Sequence, residues 1–271
     1  MTSPVRMDKK NPGPKFQLVA GENIQSGLLR IMRAQVQGAQ QKLSREDDIH
    51  ENIHATRQHF KKIRSALRLM RFAIPKKIYR RNNWFVRDES RKLSAARDHT
   101  AIMEVLPLLE RQAGSHFTKE EFLKIENYFK KQRQRKFDEQ QVSADMKLVA
   151  KELSVYKKAD FSILEAQREK ARWIPGLQRT YQDGYRSYRK LLNKPASHMM
   201  HEWRKHAKYL RYQLHMLNVY WPPVFSALEN ELHKLTDLLG NHTNLELFQQ
   251  QIHSADPFDP DLRERMLKHS T

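Results

Sequence analysis

The sequence predicts an all-α protein, on three observations. Residues that favour helices (Glu, Lys, Leu, Arg, Gln and Ala) are abundant in the 271-residue chain, whereas Gly and Pro number only 8 and 11. The glycines and prolines fall mostly between segments that have helical periodicity. No segment alternates apolar and polar residues as a strand does, and no Asn-Gly or Asp-Gly turn joins two such segments.

In the first half, local signals set the predicted helix boundaries. Pro75 ends the second helix, because the residue before a proline is disfavoured in helical backbone. Thr118 followed by Glu121 is a capping-box pattern and predicts a helix start. The predicted segments are a flexible basic tail over residues 1–16, a helix from near Glu22, and helices over residues 47–73, 77–92 and about 95–112.

The rest of the chain is divided in the same way. Residues 118–170 are densely charged and are predicted to form either long exposed helices or partly disordered chain. Pro175 and Pro195 bracket the next helix, and Gly240 is predicted to follow a helix end, where glycine is common. The later predicted helices cover residues 176–193, 197–220, 222–239 and 243–252, and a last helical piece follows the DPFDPD segment.

These segments form two similar halves of one predicted domain. The domain is predicted over residues 17–255, and residues 256–271 are predicted to be a C-terminal tail or short helix. Its parts are a first helical half at 17–115, charged middle helices at 118–170 and a second helical half at 171–255.

The charge balance indicates a polyanionic partner. Lys and Arg total 50 against 31 Asp and Glu, a formal net charge of +19, and a partner of opposite charge relieves the resulting self-repulsion. The chain has no cysteine, which excludes disulfides, thiol catalysis and cysteine-based zinc sites. We expect a cytoplasmic protein, since the N-terminal residues lack an apolar signal-peptide core and the apolar runs are too short to span a bilayer.

One sequence pattern occurs twice. HATRQHFKKIRSALRLM begins at residue 54 and HEWRKHAKYLRYQLHML at residue 201, and both read H-x2-R-x3-K-x2-R. On a helix the four polar positions fall within an arc of about 80°, and the apolar positions centre roughly 110° away. Each helix therefore offers one face to a core and a row of cations beside it. The first row is His54, Arg57, Lys61 and Arg64, extended by Arg68; the second is His201, Arg204, Lys208 and Arg211, extended by His215; the matched apolar residues are Phe60, Ile63, Leu67 and Met70 in the first copy and Ala207, Leu210, Leu214 and Leu217 in the second.

The rows are predicted to bind an anion, although a solvated basic helix face is the plainer interpretation. Residues 52–87 include 11 Lys and Arg and no acid, whereas a solvated helix commonly mixes charges. Arg binds phosphate oxygens bidentately, Lys adds a compact charge, and a nearby polyanion favours protonated His. Two facing rows would form a groove for an extended polyphosphoryl chain.

A second pair of segments also matches. LSAARDHTAIM at 93–103 aligns with LGNHTNLELF at 239–248, which places Asp98 opposite Asn244. Both residues are predicted to lie at helix starts, where a short side-chain acceptor caps free N–H groups. Arg97 is the candidate ligand contact in this segment.

At these motifs the sequence resembles the conserved histidine α-helical domain (CHAD) family. The resemblance rests on IHATRQHFKKIRSALRLM, SAARDHTAIMEVL, MHEWRKHAKYLRYQLHML and LTDLLGNHTNLELF, whose order and spacing match the family over about residues 20–255. It implies two pseudo-symmetric four-helix bundles around a basic central groove that binds inorganic polyphosphate, often at polyphosphate granules. The implied polyphosphate contacts are His54, Arg57, Lys61, Arg64, His201, Arg204, Lys205, Lys208 and Arg211, to which the first row adds Arg68 and the second pair of segments adds Arg97.

Two departures from the family pattern are visible. Asn244 stands where the family usually has Asp, and Gln58 stands where the first copy often has a hydrophobic or variable residue. Neither residue lies on a cation row, so polyphosphate binding is expected to persist, while the helix cap at Asn244 is expected to be weaker. Many members carry a fused triphosphatase domain with an E-x-E-x-K strand, and no such motif occurs here. We therefore expect a stand-alone binder with no catalytic residue, metal or cofactor.

Three other functions were weighed from the residues. HENIH at 50–54 fits the H-E-x-x-H pattern of zinc proteases, but a dication at the head of a cation row is electrostatically unfavourable. Weak, non-specific binding of RNA or DNA is expected from the net charge, and a nucleic-acid-binding helical protein is the alternative function. A membrane-surface role would need a helix with exposed bulky apolar residues, and the apolar faces here are better explained as core.

Overall fold

A computed structural model describes residues 16–94, 105–107, 109–111, 116–136, 139–165, 173–253 and 258–268. Within these ranges every regular element is a helix, which confirms the predicted all-α class. None of the described helices is both long and apolar enough to cross a membrane. The helices are α1 (Ile24–Leu43), α2 (Ile49–Leu69), α3 (Lys76–Lys92), α4 (Lys119–Lys136), α5 (Glu139–Glu165), α6 (Trp173–Asn193), α7 (Ser197–Leu217), α8 (Pro222–His253) and α9 (Pro260–Lys268), with 3₁₀ turns at Met70–Phe72 and Asn218–Tyr220.

The order of elements repeats along the chain. Helices α1, α2 and α3 are matched by α6, α7 and α8, and both α2 and α7 run into a 3₁₀ turn before the third helix begins. Each third helix starts at or just after a proline, Pro75 in the first half and Pro222 in the second. Proline suits this place because backbone N–H groups in the first turn of a helix have no partner within the helix, so the N–H that proline lacks is not missed. The two copies of the sequence pattern thus form equivalent helices.

The core of the first half is a four-helix bundle made by α1, α2, α3 and α5. The apolar positions of the first copy point into it, and Phe60, Ile63 and Leu67 are fully buried. The charged middle stretch contributes too, since Val149 and Leu153 on α5 are fully buried in the same core. In its described part, this stretch is helical and only partly exposed. In the second half, the described helices α6, α7 and α8 pack on one another.

A second, smaller core lies at the far end of α8. Phe248 and Ile252 near the end of α8 are fully buried against Phe129 of α4 and Leu262 of α9. The predicted capping box at the start of α4 is confirmed: the Thr118 N–H donates to Glu121 Oε2 at 2.8 Å, and the Glu121 N–H donates to Thr118 Oγ1 at 3.2 Å.

The predicted helix end at Leu239 is wrong. Helix α8 continues through Gly240 to His253, so the separate helix predicted over 243–252 is its C-terminal part. Asn244 accordingly lies inside a helix and does not cap one. The backbone of Gly240 is helical, and its lack of a side chain lets the Arg204 guanidinium pack against α8: a Cβ at this position would lie 2.5 Å from Arg204 Nη2. Asp98 and Arg97 fall outside the described residues, as does most of the helix predicted over 95–112.

The two halves of the chain are joined where α2 meets α6 and α7. Ser65 Oγ donates a hydrogen bond to the Tyr209 carbonyl at 2.8 Å, and Gln213 Nε2 donates to the Ser65 carbonyl at 3.2 Å and to Thr180 Oγ1 at 3.1 Å. All four residues are buried, so these bonds satisfy polar groups that would otherwise destabilise the interior. We call Ser65, Thr180, Tyr209 and Gln213 the polar joint.

Gly176 at the start of α6 allows this contact. A Cβ at this position would lie 2.1 Å from the Leu69 carbonyl oxygen and 2.7 Å from that of Arg68. Both clashes would be with backbone atoms of α2, which cannot be relieved by a change of side-chain rotamer.

We predict that Gly176→Ala destabilises the protein by about 2 kcal/mol or more, because α6 must move away from α2. Gly184→Ala in the same helix is the matched control, since its Cβ would meet only His206 Cβ at 3.5 Å, an ordinary contact. The Gly184→Ala substitution should stabilise the protein by up to about 1 kcal/mol, because alanine has a higher helix propensity than glycine. Urea unfolding of both variants is the measurement, and equal stabilities would contradict the close approach.

Candidate anion-binding groove

The two cation rows lie on α2 and α7, on either side of the polar joint. Burial lowers the pKa of Lys208, and the next largest causes are the positive charges of Lys61, across on α2, and of Arg204. Lys61 also contributes to the lowered pKa of His201, whose main cause is burial. A side chain of the first row therefore acts electrostatically on two members of the second, and the structure brings the two rows together.

Arg57 and Arg204 are anchored in equivalent ways by the third helix of each half. Arg57 Nη1 donates to the Ser90 carbonyl at 2.6 Å and to Ser94 Oγ at 2.7 Å, at the end of α3. Arg204 Nε donates to the Thr236 carbonyl at 3.2 Å, and its guanidinium lies over Gly240. Thr236 and Gly240 each lie 146 residues after their counterparts Ser90 and Ser94. These acceptors are uncharged, so they position both guanidinium groups without neutralising them.

A second anchoring point also recurs, with different chemistry. Asn83 Oδ1 on α3 accepts from Arg64 Nε at 3.1 Å and from Arg68 Nη1 at 3.0 Å. In the second half the equivalent residue, 146 positions later, is Glu229 on α8. Its Oε2 lies 2.9 Å from His215 Nδ1 and its Oε1 lies 3.8 Å from Arg211 Nε. One half uses a neutral amide where the other uses a carboxylate.

Arg68 is buried beneath the first row. Only 8% of it is exposed, and its guanidinium carbon lies 3.9 Å from the centroid of the buried Tyr209 ring. Arg64 lies over the same ring at 5.8 Å. Such cation–π contacts stabilise a desolvated guanidinium. In this arrangement Arg68 ties α2 to α7 and faces solvent less than the other predicted contacts.

Lys208 lies among like charges at the centre of the second row. Burial lowers its pKa to about 7, with further lowering from Lys61, Arg204 and Arg211 and an opposing contribution from Asp237 on α8. Lys62, a neighbour missed by the row pattern, has its pKa lowered by burial and by Arg211, and its ammonium lies 4.8 Å from the Phe16 ring.

The row histidines have different surroundings. His54 Nε2 lies 2.6 Å from Gln58 Nε2, whereas His201 is exposed on the surface of α7. Partial burial of its ring, together with Arg204, Lys205 and Lys61, lowers the pKa of His201, and Glu202 opposes the shift. Lys205 itself is paired with Glu202 one turn away. A polyanion over this end of the row would favour the protonated imidazole.

The H-E-x-x-H pattern belongs to the start of α2. Glu51 is in the first turn of that helix, and its N–H donates to the capping Asp48 Oδ1 at 3.1 Å. Across the described residues, no three His, Asp or Glu side chains come together as a group that could hold a metal ion.

Sequence reasoning missed the residues that anchor the rows. Asn83 and Glu229 lie on the third helices, outside both copies of the repeated pattern, and an alignment of α3 with α8 at an interval of 146 would have found them. Arg87 on α3 was also missed. Burial is the main cause of the lowered pKa of Arg64, and Arg87 is one of the nearby cations that lower this pKa further.

Comparisons with known proteins agree with this architecture. A model of the CHAD domain family matches residues 27–253. The fold is similar to the crystal structure of the CHAD domain from the plant Ricinus communis, with a TM-score of 0.67 and 17% identity over 95% of this chain and 88% of that chain. At this identity the similarity concerns the fold alone. No curated protein matches the sequence.

Lys208→Met should stabilise the protein, by an amount that depends on pH. Because the pKa of Lys208 is depressed to about 7, the folded state binds fewer protons than the unfolded state between about pH 7 and 10.5. The penalty for the buried lysine is therefore complete below about pH 7 and disappears as pH rises towards 10.5. We expect a gain on the order of 4 kcal/mol at pH 6, since each pKa unit corresponds to about 1.4 kcal/mol.

Urea unfolding at pH 6, 8 and 10 measures this gain. Lys190→Met, at an exposed position on α6, is the control for adding a methionine and removing one charge. A gain from Lys208→Met that is constant across this range would contradict the electrostatic account of the second row.

Proposed function

The chain belongs to the CHAD domain family, and we propose that it binds inorganic polyphosphate through the two cation rows without catalysing a reaction on it. The observation that carries the proposal is the pair of cation rows on the neighbouring helices α2 and α7, in which Arg57 and Arg204 are held in equivalent ways and Lys61 adds to the effect of burial in lowering the pKa of Lys208 on the other helix. Like charges held this close destabilise the fold unless an anion lies between them. A linear polyphosphate supplies one or more negative charges at every unit along its length.

The anchoring contacts support a phosphate ligand in particular. Arg57 and Arg204 are held by neutral acceptors on α3 and α8, which reduces the ordering cost of binding. A guanidinium carries five N–H donors in a planar fork, which suits the bidentate binding of phosphate oxygens. Each row is about 15 Å long, at 1.5 Å per residue over its first ten positions.

Nucleic acid is the alternative ligand, and the aromatic rings beside the rows argue against it. Binding of single-stranded RNA or DNA commonly uses exposed aromatic faces on which bases stack. Tyr209 is 3% exposed and covered by Arg68, and Tyr212 packs edge-on against Phe16 with centroids 5.6 Å apart. Neither of these two rings offers a free face for stacking, and we expect nucleic acid to bind more weakly and mainly through charge.

On this proposal the protein is cytoplasmic and collects at polyphosphate granules. The ligand is bound as an extended chain, and the proposal assigns no catalytic residue, metal or cofactor.

Binding of long-chain polyphosphate and of single-stranded RNA, compared at two salt concentrations, tests the proposal. We expect Arg57→Gln combined with Arg204→Gln to weaken polyphosphate binding by about 100-fold, since each charge-assisted bond is worth about 1.5 kcal/mol. The slope of log K against log salt should also fall in magnitude by about 1.4, the value for two phosphates on a single strand.

The matched control replaces Lys124 and Lys131 by Gln; both are exposed on α4, and their removal lowers the net charge equally. If the arginine variant is poorly folded by circular dichroism, Lys61→Gln with Lys205→Gln takes its place. Equal affinity for polyphosphate and RNA, or equal losses in the row and control variants, would argue for non-specific nucleic-acid binding instead.

A further inference from the structure

The second row already has an anion on it. Glu229 lies beside both Arg211 and His215, with its two carboxylate oxygens divided between them. Only the contact to His215 Nδ1, at 2.9 Å, is a hydrogen bond. The side chains of Glu229 and Arg211 are each about one-fifth exposed, so part of this pair lies at the surface.

The contact with Arg211 is incomplete. Arg211 Nε is buried and has no hydrogen-bond acceptor within range, and the nearest Glu229 oxygen is 3.8 Å away. A buried guanidinium N–H without an acceptor is unfavourable. The carboxylate therefore reduces the charge of Arg211 without satisfying its donors, and a phosphate oxygen in the same place could do both.

The first row has no equivalent carboxylate. Asn83 occupies the same structural position and accepts from Arg64 and Arg68 through a neutral amide oxygen. Asp88 is the acid near this row, and it is already held by Arg87 on its own helix through bonds of 2.8 and 3.0 Å. At this anchoring position, therefore, the two halves share one arrangement but differ by one negative charge.

We propose that Glu229 is a specificity-determining residue: it occupies the end of the second row in place of ligand phosphate, so that only a chain long enough to span both rows displaces it. This inference rests on the proposed function. A short polyphosphate binds in the first row, where Asn83 offers Arg64 and Arg68 a neutral acceptor in place of a carboxylate. A long chain gains the contacts of the second row and loses part of that gain in displacing the carboxylate.

Two substitutions exchange the chemistry of the two halves. Glu229→Gln keeps an acceptor for His215 and removes the competing charge, whereas Asn83→Asp installs a carboxylate in the first half. Glu231→Gln is the matched control, because Glu231 lies two residues away on the same helix, exposed and paired with Lys234 at 2.7 Å. Thermal unfolding confirms that each variant is folded before binding is measured.

The probes are tripolyphosphate and a long-chain polyphosphate, with affinity measured across a salt series. Glu229→Gln should tighten long-chain binding by about tenfold, as expected when a like charge is removed from a binding surface, and change tripolyphosphate binding by less than about twofold. Asn83→Asp should weaken both ligands. The salt slope for the long chain should steepen in Glu229→Gln, which a purely structural role of Glu229 would not produce.

The outcomes separate this inference from the proposed function. If wild-type protein binds polyphosphate but Glu229→Gln leaves long-chain affinity unchanged, weakens it, or only matches Glu231→Gln, the role of Glu229 is refuted and the proposed function stands. An equal gain for both chain lengths also refutes it, because the carboxylate would then act on the whole groove. If wild-type protein binds neither polyphosphate, both proposals fall.

Discussion

The rest of the structure depends on the contact between α2 and α7, which holds two cationic helices side by side. Each helix carries a row of like charge, and the depressed pKa of Lys208 reflects its burial first and the repulsion from neighbouring cations second. The contact persists because polar and apolar groups beneath the rows hold it. Ser65 is hydrogen-bonded across it to the Tyr209 carbonyl and to Gln213 Nε2, and Met216 and Leu217 of α7 extend into the core of the first half.

The third helix of each half relieves this repulsion locally. Cations that would otherwise turn away from one another are bound to carbonyl, amide or carboxylate oxygens of α3 and α8. The spacing of the repeated pattern follows from this arrangement, because Arg57 and Arg64 lie seven residues, or about two turns, apart and reach two acceptors on the neighbouring helix. A similar anchoring geometry thus occurs twice, and at the second anchoring point the acceptor is an amide in one half and a carboxylate in the other.

The sequence predicted the parts of this arrangement that depend on local pattern. Helical periodicity gave the helices, the repeat gave the cation rows and their buried neighbours, and the Thr118–Glu121 pair gave the start of α4. Gly240 was misread because a glycine after a leucine-rich segment has the same local appearance whether it ends a helix or makes room for a distant side chain. Arg204, which requires that room, is 36 residues away in sequence. Asn83 and Glu229 were missed for a related reason: their role depends on contacts with cationic side chains of α2 and α7, which are distant in sequence.

The continuity of α8 through Gly240 has a mechanical consequence. The helix is 32 residues long, about 48 Å at 1.5 Å per residue. Glu229 lies near one end, and Phe248 and Ile252 at the other are embedded in the separate core with α4 and α9. Two shorter helices joined at Gly240 would have had a hinge there, and a displacement at one end would have been absorbed. As one continuous helix, α8 connects the anchoring position at Glu229 directly to the distant core.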